Sequence, residues 1–169
     1  ASFSIRVREA FGNCRKYIQR RHVTPHAATN VESSPTRGDR LTAAQRDRLA
    51  RADTFFIASS HAQAGVDASH RGGMPGFVRV LGDDRIEWTD YAGNNMFQTL
   101  GNLAVDPRAG LLFVDFERGA TLQLVGRASI HWGEARTVSF AIDRVIETPG
   151  GVAIQAQGLE YSPHNPAED

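Results

Sequence analysis

The sequence predicts a mostly β fold, a small barrel of about six strands with two or more helices. Three observations carry it. Residues 69–116 read as strand, turn, strand, helix, strand. Beyond them, apolar and polar side chains alternate with the period of two that marks half-buried strands. Turn signals punctuate those runs every ~8–12 residues, the rhythm of a small barrel.

Taken in order, the chain opens with Phe3, Ile5 and Val7 alternating with Ser4, Arg6 and Arg8, a short half-buried strand. Gly12-Asn13 breaks it. Residues 14–21 suit a helical turn or two, with Tyr17 and Ile18 packing inward. Cys14 reads as a small buried hydrophobe, because no pattern pairs it with a histidine and a carboxylate. Arg20-Arg21-His22 has no interleaved aromatic residue and reads as solvated surface. Residues 23–40 carry Thr24-Pro25, Ser33-Ser34-Pro35 and Arg37-Gly38-Asp39, the composition of a linker.

Thr42 stands three residues before Gln45, the spacing of a capping box: the hydroxyl meets a first-turn N–H and the amide reaches back. That helix should run to about Ala52 with Leu41, Leu49 and Ala52 inward. Residues 54–60, TFFIASS, make the first barrel strand, and residues 66–69 the next. Phe77, Val78, Val80 and Leu81 form a short apolar run. Gly82-Asp83-Asp84 turns the chain, and Arg85 to Thr89 resumes an extended pattern around Trp88.

Met96, Phe97, Leu100, Leu103 and Ala104 then fall at helical spacing and share a face. Asp106-Pro107 ends that helix, because the residue before proline disfavours the helical region. Residues 111–116 make a compact strand, and Glu117-Arg118-Gly119 turns. From Thr121 to Trp132 runs a long strand, with Leu122, Leu124 and Gly126 on one face and Gln123 and Val125 on the other. Val138, Phe140, Ile142 and Arg144 alternate again, then Val152 and Ile154. The tail, residues 162–166, reads as extended and prone to fray.

Polar groups gather at both ends of the central hairpin. Ser69, His70, Arg71 and Gly72 precede it, and Arg79 lies on its first strand. Thr89, Asp90, Asn94 and Asn95 follow it and lead into a helix N-terminus, whose unpaired N–H groups and positive dipole end suit an anion. Hydroxyl, amide and guanidinium groups beside apolar strands suit a ligand with a flat ring and a phosphate tail. An ordinary solvated turn fits the same local pattern. His61, His70 and His131 lack metal-ligand spacing to one another or to the cysteine. His61 reads as a turn histidine, and His70 stands out only by its place beside Arg71.

The pieces SHRGG-PGFVRV, the W-T-D-Y-x-G-N after the hairpin, TLGNL and DPRAGLLFVDF occur here in order. In that order the stretch from about Asp53 to Trp132 resembles the pyridoxamine 5′-phosphate oxidase-like family, the FMN-binding split barrels. The subgroup it is most similar to is a bacterial set of large flavoproteins with two such barrels in one chain. Residues 11–19 resemble the stretch that closes the first of those barrels. The resemblance implies residues 1–22 as the remnant of a preceding domain, 23–40 as a linker, and 41–169 as the split-barrel domain.

The resemblance also implies FMN as cofactor, a small-molecule redox substrate and a homodimer. It places cofactor contacts near Arg79, with Arg71 close by, and at Thr89; Ser69, His70, Gly72 and Asp90 adjoin these positions and complete the expected site. His70 would donate to a phosphate or a flavin oxygen. The family's Arg-Lys pair before the helix falls on Asn94-Asn95, where two cations become neutral amides. The family's glutamine from the partner subunit falls near Thr121. Charge-assisted bonds are about twice as strong as neutral ones, so Arg71 or Arg79 must compensate. Two other readings stay open: a non-catalytic structural or dimerising barrel, and a haem-binding one. The dimer expectation leans on Trp88, Phe113, Phe116, Leu122, Leu124 and Trp132, more bulk than one small barrel encloses.

Length and composition set outer bounds. The chain's 169 residues fit one domain with a sizeable core. Its 19 basic and 19 acidic residues cancel, which argues against nucleic acid or an acidic membrane surface as main partner. No apolar run is long enough to span a bilayer, and no signal peptide is expected. A single cysteine rules out an internal disulfide and fits a reducing, cytoplasmic compartment.

Overall fold

The computed structural model of the chain describes residues 4–7, 14–25 and 34–166. Its elements, in order, are β1 (Arg20–Pro25), β2 (Thr36–Gly38), α1 (Ala43–Ala50), β3 (Thr54–His61), β4 (Gly65–Gly72) and β5 (Val78–Val80). Then come β6 (Arg85–Thr89), α2 (Gln98–Val105), β7 (Arg108–Val114), β8 (Thr121–His131), β9 (Thr137–Thr148) and β10 (Ile154–Glu160). Eight strands form one sheet in the order β4-β3-β7-β8-β9-β6-β5, with β2 added on β9. All its pairings are antiparallel. The sheet curls around a single core, the split barrel that the sequence predicts.

The period of two places the core. On β8, Leu122, Leu124, Gly126 and Ala128 are buried while Gln123, Val125 and Arg127 are exposed. On β3, Phe55 and Ile57 point inward and Phe56 outward. Phe55 is the hub: its ring lies 5.1 Å from Trp88, 5.1 Å from Phe113 and 5.8 Å from Phe77. Each such side chain, fully buried, contributes roughly 1.5–3 kcal/mol. Trp88, Phe113, Leu122 and Leu124 therefore all fit inside one barrel, against the expectation that they exceed it. Only Trp132 stands out in solvent, 67% exposed. Phe116 is half-buried, with the Arg21 guanidinium 4.4 Å from its ring centre.

One bulge sets the register of β9. Val125 pairs Arg144 but Gly126 pairs Ile142, so Asp143 is the extra residue. Ile142 and Val145 are both buried as a result, and Arg144 is exposed, correcting its expected inward position. Gly126 is required here: a Cβ would lie 2.0 Å from the Ala141 carbonyl oxygen.

The helices follow their signals closely. Thr42 caps α1 in a complete capping box with Gln45, and Leu41 and Leu49 are buried. In α2 the inner face is Thr99, Leu100 and Leu103. Met96 and Phe97 precede the helix and Ala104 faces solvent, so the expected five-residue stripe shrinks to its centre. Asp106 ends the helix, its N–H on the Asn102 carbonyl.

Four further expectations change. Ile5 and Val7 are exposed and in no strand; Phe3 and residues 11–13 lie outside the described residues. Residues 16–17 make a turn, not a helix, and Ile18 is exposed. Arg20-Arg21-His22 and the start of the linker-like segment together form β1, paired with β10, and that segment also supplies β2, paired with β9, so ten strands appear among the described residues. Proline in β1 is tolerated because that ribbon has free edges. The tail is held: Ser162 is buried, its N–H donating to Gln19 Oε1 at 2.8 Å.

Candidate functional site

The cleft is built where β4 and β6 end and α2 begins. Antiparallel pairing with β3 carries Ser69, His70, Arg71 and Gly72 to its rim. Polar contacts clamp α2 to β3 and β4. Thr99 Oγ1 bonds Asp67 Oδ2 at 2.9 Å and Asn102 Nδ2 donates to Ser59 Oγ at 3.1 Å. Thr99 is only 3% exposed, so its hydroxyl is committed to β4. No side chain caps the start of α2, which leaves first-turn N–H groups available at the cleft.

The approach to α2 is a shaped turn. Asn95 has φ +61, the left-handed region that asparagine tolerates. Asn94 Oδ1 accepts from the Met96 N–H at 3.1 Å. Both amides line the cleft, with Thr89 at the end of β6.

Electrostatics centre on Asp90. Arg136 Nε and Nη2 each reach Asp90 Oδ2 at 2.8 Å, and Arg71 Nε lies 3.7 Å from Oδ1. All three side chains are mostly buried. Burial lowers the Arg71 pKa, opposed by Asp90 and Asp67. His70 is held down to about 4, first by burial and then by the Arg71 charge, so it is neutral at pH 7. Its Nε2 is buried with no hydrogen-bond partner. Two guanidiniums meet one lining carboxylate, Asp90, and Asp67 acts on Arg71 from outside the lining.

A chain segment from far away closes one side. Lys16 and Tyr17 line the cleft. Tyr17 donates from its hydroxyl to the Ala92 carbonyl at 2.9 Å, and its ring lies 5.1 Å from that of Tyr91. Lys16 Nζ reaches the same carbonyl at 3.3 Å. Gln19, 5% exposed, anchors the segment: its amide contacts the Tyr17, Asp53 and Gly73 carbonyls and its oxygen accepts from Ser162 and Asn165. Gly72 makes room for this, since a Cβ there would sit 2.1 Å from the Tyr17 carbonyl oxygen.

Of the sequence-derived candidates, Ser69, His70, Arg71, Gly72, Thr89, Asp90, Asn94 and Asn95 line this one cleft. Arg79 does not: Val78 is buried inward, so Arg79 points out and pairs with Glu87 across the hairpin. Thr121 does not either; it is 4% exposed and packed against Gly151. Buried in its own barrel, it is not presented to a partner. Sequence reasoning missed Arg136, Lys16, Tyr91 and Phe97 as wall residues. Arg136 lies 46 positions from Asp90, and no local pattern links the two. His61 is a turn residue, its Nδ1 accepting from two backbone N–H groups. His131 is exposed and contacts Ser139.

The cleft holds about 120 Å³. A second, roomier cavity of about 570 Å³ lies between α1 and β10. Within its lining Arg21 pairs with Asp53 and Arg118 with Asp115, and Arg48 is drawn to Glu147 outside it. Among the described residues no helix is long and apolar enough to cross a membrane.

Comparison with known proteins places this architecture. The family described as pyridoxamine 5′-phosphate oxidase matches residues 41–167. HupZ of Group A Streptococcus aligns with a TM-score of 0.52 at 14% identity, covering 67% of this chain and 98% of HupZ. A point variant of HupZ gives 0.52 at 18% identity, covering 63% of this chain and 98% of that one. A Lactobacillus delbrueckii protein described provisionally as a pyridoxamine 5′-phosphate oxidase gives 0.51 at 15%, covering 64% and 94%. At these identities the likeness is one of fold. No curated protein matches the chain.

Proposed function

Because the chain belongs to the pyridoxamine 5′-phosphate oxidase family, we propose that its cleft binds FMN, as the flavin domain of a redox protein acting on a small molecule. One observation carries this reading: Arg71, Thr89 and the Asn94-Asn95 turn meet beside the uncapped start of α2. The residues fit the tail of the cofactor. Uncapped N–H groups and a lining in which Lys16, Arg71 and Arg136 outnumber Asp90 suit a phosphate, and Tyr91 and Phe97 offer apolar ring faces. Bound FMN supplies electron and hydride exchange. The protein binds and orients it. Arg71 and Arg136 attract the anion while Asp90 fixes their direction. Thr89 and the two asparagine amides add neutral hydrogen bonds. His70, neutral at pH 7, adds no charge to this attraction and offers a ring nitrogen for a hydrogen bond.

The cleft's size bears on the assembly. Ligand pockets usually hold roughly 300–1,000 Å³, and this one holds about 120 Å³. A flavin tail fits in it and the ring system extends beyond. A second copy of the chain then supplies the missing wall, giving a homodimer with two equivalent sites. The same small volume favours a second reading, a structural barrel without a cofactor.

An absorption spectrum of freshly purified protein, before and after adding FMN, separates the two. Flavin bands that stay with the protein through gel filtration, and weaken on dilution, support the FMN dimer. Arg71→Ala should then weaken FMN about ten- to a hundredfold more than riboflavin, which lacks the phosphate. A colourless protein that takes up no FMN establishes the structural barrel, and a Soret band a haem protein.

A further inference from the structure

Among the described residues four charged side chains line the cleft: Lys16, Arg71, Asp90 and Arg136. Asp90 engages both arginines, Arg136 at 2.8 Å and Arg71 at 3.7 Å. Lys16 differs. Its Nζ contacts only the neutral Ala92 carbonyl, at 3.3 Å, and it pairs with no carboxylate among the described residues. Ala92 immediately precedes the Gly93-Asn94-Asn95 turn into α2. An anion at the start of that helix meets neutral amides, N–H groups and two arginines already engaged by Asp90 from the barrel, and an ammonium without a carboxylate partner among the described residues from the crossing segment.

The position of that ammonium is held by structure. Tyr17 has φ +65, a left-handed conformation that costs a non-glycine residue free energy and persists only where its surroundings fix it. Here they do. Its N–H donates to Ser162 Oγ at 3.2 Å, its hydroxyl to Ala92 at 2.9 Å, and its carbonyl accepts from Gln19 Nε2 at 3.1 Å. Gly72 opens the space its carbonyl occupies. A segment needed only to cover the sheet has no use for so constrained a turn beside a cluster of donors.

We infer that Lys16 is the phosphate-pairing cation of this cleft, delivered by a segment that Gln19 latches to the barrel. The identity of the ligand rests on the FMN reading; its chemical class is a phosphate monoester. Lys16 thereby supplies the positive charge that the Asn94-Asn95 turn lacks, from a part of the chain some 80 residues distant.

Two titrations on the full chain test this. In the first, inorganic phosphate is added while backbone amide resonances of Asn94, Asn95 and Gln98 are followed at low and high salt. Wild type should shift at low salt and less at high salt. Lys16→Gln should need roughly ten- to a hundredfold more phosphate, and Lys16→Arg should restore the response. In the second, Lys16→Gln should lose a similar factor for FMN and little for riboflavin. Phosphate shifts of equal midpoint in wild type and Lys16→Gln overturn the inference, as does a wild type with no phosphate response. A wild type that binds phosphate through Lys16 but takes up no flavin sinks the FMN reading and leaves the Lys16 assignment standing.

Discussion

Replacing Gln19 tests how strongly the crossing segment is fastened. Gln19 is 5% exposed. Its Oε1 accepts from the Ser162 N–H at 2.8 Å and Asn165 Nδ2 at 3.1 Å. Its Nε2 lies 3.1 Å from the Tyr17 carbonyl, 3.2 Å from that of Gly73 and 3.3 Å from that of Asp53. Gln19→Leu keeps the bulk and removes every one of these. It strands the buried Ser162 N–H and at least one carbonyl, each costing about 1–3 kcal/mol. A loss of ~3–4 kcal/mol is expected, a large share of the roughly 5–15 kcal/mol that holds a domain. Gln19→Glu separates hydrogen bonding from shape. It keeps an acceptor for Ser162 but turns a second oxygen toward carbonyls, so the acid's pKa is raised in the folded state. The folded protein then holds a proton that the unfolded chain releases near pH 4.3, and stability falls as pH rises through the raised value. Urea unfolding followed by tryptophan fluorescence at pH 4.5 and 7.5 reads both variants. Gln19→Glu should recover at the lower pH relative to wild type, and Gln19→Leu should not. A Gln19→Leu loss under about 1 kcal/mol, or a Gln19→Glu variant indifferent to pH, would refute the latch.

Two further outcomes follow from the site and the sheet. His70 is held down to about 4 against an ordinary 6.5, by burial and by Arg71, so the unfolded chain takes up its proton first. That contribution to stability is complete above pH 6.5 and is lost as pH falls toward 4; its ceiling is ~3 kcal/mol, about 1–2 after allowing for partial exposure. Urea midpoints at pH 7 and 4.5 should converge less for wild type than for His70→Gln, and identical pH dependence in the two proteins rules it out. Gly126→Ala drives a Cβ to within 2.0 Å of the Ala141 carbonyl oxygen and should cost about 1–3 kcal/mol or more, whereas at Gly110 the closest atom is 4.0 Å away and alanine should be accommodated. Thermal melting of both variants compares them, and equal melting temperatures would show that the bulge relaxes freely.

The parts of the fold legible in the sequence are those whose cause is local. The capping box at Thr42 and Gln45, the stop at Asp106-Pro107 and the alternation along β8 are each written within a few residues. The bulge at Asp143 is not, because it arises from the meeting of β8 and β9. Arg144 therefore lies on the face opposite to the one that simple alternation predicts. β1 and β2 were hidden for a related reason. Thr24-Pro25 and Arg37-Gly38 carry turn composition, and only partners far along the chain, Gln155 and Ile146 among them, make strands of them. The same division runs through the site. Residues contiguous with the hairpin and its following turn could be named together, and eight of them meet. Arg136 and Lys16 reach the cleft from distant segments, and Arg79 leaves it because strand parity on β5 turns it outward.

The ribbon of β1 and β10 also fixes an order of events. The Gln19–Ser162 contact joins residues 143 positions apart, while the hairpins β3–β4, β5–β6 and β8–β9 each close a short loop. The entropy lost in closing a loop grows with the logarithm of its length, and contacts so distant form after local ones have built a surface to receive them. The ribbon accordingly closes last and opens first. A change at Gln19 then speeds unfolding and leaves the folding rate nearly untouched. Partial opening releases Lys16 and Tyr17 from the cleft while the Phe55 cluster stays packed, so on the proposed reading the residence time of a ligand there would follow the ribbon's own opening rather than the global stability of the barrel.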